Sequence, residues 1–97
     1  MNALVGSWNA LRHPKAGMII RVREACLSGE AAPVQLGKGA VASVSKIDGE
    51  DNIVAYFPSL VVEGESDKII VLREDFCKFE RLVMTHEGHW IARSLMA

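Results

Sequence analysis

Apolar and polar residues alternate over short stretches of this chain, with the two-residue period of strands rather than the 3.6-residue period of helices. Met18–Arg23, "MIIRVR", sets Met18, Ile20 and Val22 against Ile19, Arg21 and Arg23, which predicts a half-buried strand. In the next apolar stretch Val41, Val44 and Ile47 also fit a helix face, but Gly37, Gly39, Ser43 and Ser45 disfavour a helix interior. A strand over Val41–Ile47, with one irregularity that shifts its facing, is the expectation. Asp48–Asn52, "DGEDN", reads as a polar hairpin loop. Ile53–Phe57, "IVAYF", is a third strand, rich in branched and aromatic side chains and stopped by Pro58. Val61–Asp67 turns at Gly64, and Lys68–Leu72 is a fourth strand. Arg73–Cys77 is too short for a stable α-helix and suits one turn of 3₁₀ helix. Lys78–Val83 then alternates Phe79, Arg81 and Val83 against Glu80 and Leu82 as a fifth strand.

Between the first two strands, Glu24–Leu36 is broken by Ser28-Gly29 and Pro33, and reads as a long loop without a regular element. At the start, Leu4, Val5, Trp8 and Leu11 share one stripe, predicting a short amphipathic helix or ordered arm that ends before Pro14. Met84–Ala97 admits two readings. The chain turns at Glu87-Gly88 into a strand over His89–Arg93, or Trp90, Leu95 and Met96 belong to a terminal helix. The expected organisation is an arm at 1–14, a β-domain at 15–83 and a C-terminal extension at 84–97.

Composition narrows the function classes. A 97-residue chain, 49% hydrophobic and 24% charged, is sized for one globular domain with a modest core. Its net charge of −1 argues against a dedicated nucleic-acid binder. The charge is nevertheless divided. Residues 1–47 hold six Lys/Arg and two acids, a balance of +4, whereas residues 48–97 hold five Lys/Arg and ten acids, a balance of −5. Two such faces suit a charged partner or head-to-tail self-association. Cys26 and Cys77 form neither a metal spacing nor a disulfide framework. Met1–Leu11 lacks the basic start of a signal peptide, and no apolar run approaches the ~20 residues of a membrane span. The expected setting is the cytoplasm of a prokaryote-like cell, with reduced thiols and no membrane contact.

Candidate chemistry is sparse. Gly37-Lys38-Gly39 lacks the spacing of a P-loop, and no strand–helix–strand unit surrounds it to hold a dinucleotide. His86 and His89 are three apart, point to opposite faces of a strand, and have no visible third ligand. Nothing in the spacing ties His13, His86 or His89 to either cysteine as a general base, and Cys77 is expected to be a half-buried core thiol. Asp48, Glu50 and Asp51 lack the closing Glu of a calcium loop. Phe57, Phe76 and Phe79 are expected to be at least partly buried. No aromatic lies in Glu24–Leu36, which argues against a polyproline groove. No catalytic residue, metal or cofactor is expected.

The segments "AGMIIRV", "GKGAVASVSKIDG", "NIVAYF" and "LREDFCKFERL" resemble one branch of the SH3-like small barrels. That branch holds photosystem I subunit IV, the variable chain of ferredoxin–thioredoxin reductase and the KOW-type modules. The resemblance covers about residues 15–83. It implies a mainly β fold, a five-stranded small barrel, whose closure removes exposed edges. Together these readings point to a non-catalytic binding or adaptor module for a protein partner, with Arg21, Arg23, Lys38, Trp8 and Trp90 as the binding residues. A second reading is weak, salt-sensitive nucleic-acid binding by the basic N-terminal half. A third is a small-ligand binder or enzyme with its site at a homodimer interface, buried in part by the arm with Trp8.

Overall fold

The computed structural model describes residues 11–92. The expected N-terminal helix, with Trp8, lies outside the described residues apart from Leu11 and Arg12, which stand in no helix. The elements run β1 (Ile19–Val22), β2 (Cys26–Leu27), β3 (Gln35–Leu36), β4 (Val41–Ile47), β5 (Ile53–Tyr56), α1 (Pro58–Val62), β6 (Ile69–Val71), a 3₁₀ helix (Arg73–Lys78), β7 (Phe79–Met84) and β8 (Trp90–Ala92). The fold is mainly β.

Six strands form one antiparallel sheet in the order β6-β5-β4-β1-β7-β8, and β2 pairs with β3 as a separate ribbon. The order is open: β6 and β8 are the terminal strands, and no ladder joins them among the described residues. β1 sits centrally because its two neighbours come from opposite directions along the chain. Ile20 faces Ala42 of β4 on one side and Arg81 of β7 on the other.

Alternation decides which residues of β1 and of the start of β4 are buried, whereas Ile53, Val54 and Ala55 of β5 are buried in succession. Ile20 and Val22 of β1, Ala42 and Val44 of β4, and Phe79 of β7 point to one face and join Leu36, Ile53, Phe57, Ile69 and Val71 in the core. The register between β4 and β5 shifts between Val44 and Lys46. This bulge is the irregularity the sequence implied, and it returns Ile47 to pack against the core beyond it. Of the three phenylalanines expected inside, Phe57 and Phe79 are fully buried and Phe76 packs on the core partly exposed.

Two segments differ from expectation, and in a third one of two open readings is realised. Glu24–Leu36 is not irregular throughout, because Cys26 pairs with Leu36 and Leu27 with Gln35. These two-residue pairings turn the loop into a hairpin that folds its tip back on β6. There the Gly29 amide donates to the Ile70 carbonyl at 2.8 Å, and the Glu30 carboxylate accepts the Ile70 amide. Pro58 does end β5, but it then opens a one-turn helix, because a proline at the first helical position has no amide to leave unpaired. Of the two readings of the tail, the strand describes Trp90–Ala92. It pairs with β7 after a turn in which the Thr85 amide donates to the His89 carbonyl at 2.7 Å and Gly88 takes φ +87°. The expected helix residues Leu95 and Met96 lie outside the described residues.

Candidate functional site

Arg21 projects from the face of β1 opposite the core, because Ile20 and Val22 take the inward positions, and Arg23 follows directly after the strand. Past the end of β1 the chain stays fixed: the Arg23 amide donates to the Lys78 carbonyl at 2.8 Å. Lys38 comes from a different segment and is brought alongside by a turn. The Ala40 amide bonds the Gly37 carbonyl at 3.1 Å, the Gly39 amide bonds the Val22 carbonyl at 2.8 Å, and the Val22 amide bonds the Ala40 carbonyl at 2.9 Å. Gly39 sits at φ +94°, a conformation glycine adopts without a steric penalty. The glycine-rich stretch therefore serves as a tight entry to β4 that presents Lys38 over the last residues of β1.

Arg21, Arg23 and Lys38 line one open depression of about 710 Å³, together with Glu24, Cys77 and Glu80. The register places Glu80 of β7 directly opposite Arg21. Arg21 Nε donates to Glu80 Oε2 at 2.7 Å, and Nη2 lies 2.6 Å from the same oxygen. The Glu80 side chain is 13% exposed and the guanidinium side chain 37%, so the carboxylate is the more enclosed partner. Next to the depression, Lys78 Nζ pairs with Asp75 at 3.3 Å, and that hydrogen bond raises the lysine above its ordinary value.

The thiols differ in burial, and Cys77 is not where the sequence reading set it. Cys77, expected in the core, is exposed on the 3₁₀ helix, because its neighbour Phe76 takes the inward position. Cys26 is the buried thiol, and burial, followed by the Asp75 carboxylate, pushes its pKa up.

Trp90 stands apart from the depression. It pairs with Met84 at the far end of β7, and both side chains are about half exposed. Glu80 and Met84 lie on the same face of β7, four residues or about 13 Å apart along the strand. Trp8 lies outside the described residues. Three of the five residues singled out from sequence thus converge, and one is placed elsewhere on the sheet. Glu80, Glu24 and Cys77 complete the depression and carry no signal in sequence, since strand pairing alone sets Glu80 beside Arg21.

His86 and His89 are exposed on the β7–β8 turn, and no three His, Cys, Asp or Glu side chains gather among the described residues. No helix among them is long and apolar enough to cross a membrane. Comparison with protein-family models, with curated proteins and with solved structures found none that matches this chain.

Proposed function

We propose that this chain is a non-catalytic binding module that engages a protein partner through the Arg21–Arg23–Lys38 depression. The observation that carries the reading is the convergence of three cations from two separate segments on one concave surface. Three cations against Glu24 and Glu80 leave the concavity with an excess of positive charge, which attracts partners of the other sign and speeds their encounter. The architecture supports the same reading. The order β7-β1-β4-β5-β6, with a 3₁₀ turn before β7 and a hairpin loop bonded to Ile70 of β6, fits an SH3-like small barrel. In such a barrel the rigid sheet presents its binding groups on loops and strand ends.

Affinity capture from cell extract tests the reading, with Lys38→Glu and Arg23→Glu each compared with the unmodified protein. Both residues are outside the core, so circular dichroism of each variant is expected to match the parent. A protein retained by the parent and lost from both variants is the expected result. The same proteins retained by all three would exclude this face as the binding surface.

A further inference from the structure

We infer that the depression recognises carboxylates, that its ligand is a short acidic segment of a protein partner, and that Glu80 is a resident carboxylate against which that segment competes. The inference rests on the binding-module reading above. Its first ground is the geometry of Arg21. A guanidinium offers five N–H donors in a rigid fork, and Glu80 takes two of them through one oxygen. The fork is already oriented by a carboxylate, so little side-chain freedom is lost when a second one arrives. Arg23 and Lys38 supply two further positive charges at the rim, Lys38 from an exposed turn that has no ion pair among the described residues. Three cations lining one open concavity of about 710 Å³ suit several acids in sequence rather than one small anion.

The second ground is what the depression lacks and what it opposes. Single-stranded nucleic acid is held by aromatic stacking along a basic groove, and no aromatic side chain among the described residues lines this concavity. Glu24 and Glu80 sit among the cations, which disfavours a phosphate backbone carrying one charge at every step. A peptide of carboxylates meets the same repulsion but needs no stacking surface. Glu80 nevertheless lowers its affinity by like-charge repulsion and by its hold on Arg21.

Glu80→Gln separates these effects, because the amide oxygen still accepts from Arg21 while the charge is gone. The experiment is fluorescence anisotropy with a labelled hexaglutamate peptide on the full chain, at low and at physiological ionic strength. The parent is expected to bind hexaglutamate and not hexaglutamine, more tightly at low salt. Lys38→Gln is expected to weaken binding and Glu80→Gln to tighten it, each by up to about fivefold, the upper end for one solvent-exposed ion pair. If Glu80→Gln fails to fold, Glu24→Gln removes the other carboxylate from an exposed position and is expected to shift affinity in the same direction. Affinity unchanged or weakened by removing the acid overturns the inference. So does tighter binding of oligothymidylate than of hexaglutamate, or displacement of the peptide by inorganic phosphate as readily as by unlabelled hexaglutamate. A partner lost on Lys38→Glu while no form binds hexaglutamate would leave the binding module standing and end the carboxylate assignment.

Discussion

The Glu30 carboxylate accepts the backbone N–H of Ile70, forty residues further along the chain. The same side chain accepts the hydroxyl of Ser28, which in turn accepts the Val34 amide at 2.8 Å. Ser28 is the one buried polar residue among those described, and these bonds satisfy it. With the Gly29 amide on the Ile70 carbonyl, both backbone groups of Ile70 that face away from β5 are occupied. Exposed strand edges template unwanted pairing, and this hairpin tip covers one of them.

Glu30→Ala removes the acceptor for both the Ile70 amide and the Ser28 hydroxyl. The expected loss of stability in urea denaturation is about 1–3 kcal/mol, the cost of leaving such partners unsatisfied. Glu30→Gln keeps one acceptor oxygen and is expected to lose less. Hydrogen exchange at the Ile70 amide is expected to accelerate in Glu30→Ala, and unchanged protection there would show that Glu30 does not hold the edge.

Gly29 is required by close approach. A Cβ there would stand 2.7 Å from Leu72 Cδ2 and 3.0 Å from both Ile70 Cγ2 and Leu72 Cγ. Gly29→Ala is expected to destabilise by about 1–2 kcal/mol through overpacking. Because the obstruction is a side chain, Leu72→Ala in the same protein is expected to restore part of the loss, a coupling that a double-mutant cycle measures. Strictly additive effects would contradict the contact.

The two thiols are expected to react at different rates with a disulfide reagent. Exposed Cys77 reacts at once, and Cys26 only as the protein opens. The raised pKa of Cys26 also gives a pH dependence. The folded state holds the thiol proton more tightly than the unfolded state, so this contribution is full below about pH 9 and is lost as pH rises through the higher folded value. Cys26→Ala is expected to flatten the alkaline limb of the stability profile, and an unchanged limb would assign it to another group.

Asp48 works in the opposite direction. Its carboxylate accepts the amides of Glu50 at 2.8 Å and Asn52 at 2.9 Å, and those backbone bonds, Asn52 first, lower its pKa below 3.8. A lowered carboxylate stabilises the fold above the unfolded value and loses that contribution as pH falls through the folded one. The carboxyl carbon of Asp48 is expected to titrate below pH 3.8 by NMR, with the amide shifts of Glu50 and Asn52 following the same midpoint.

What the sequence made legible was governed by local rules. Alternation located β1 and β7, branched and aromatic side chains located β5, and the clash between three apolar residues and the glycines and serines around them located the β4 irregularity. Arg21 and Arg23 followed from the same alternation, since two residues two apart share a face. The omissions have a common cause. Pro58–Val62 carries two valines and lies between strands, so its single helical turn has no periodic signature. Glu80 meets Arg21 through pairing between strands 59 residues apart, and one sequence does not encode that register visibly. The exposure of Cys77 likewise depends on whether Phe76 or its neighbour faces inward from a 3₁₀ turn, where no two-residue rule applies.

The central place of β1 has a kinetic consequence. Its ladder with β4 becomes available once a short stretch has been made, but its ladder with β7 waits until residues 79–82 have emerged from the ribosome. Until then Ile20 and Val22 sit on an incomplete sheet, and loop closure over such a distance is among the slower events available to a small domain. Nascent chains arrested before that point are therefore the species in which a chaperone would find the greatest exposed apolar surface.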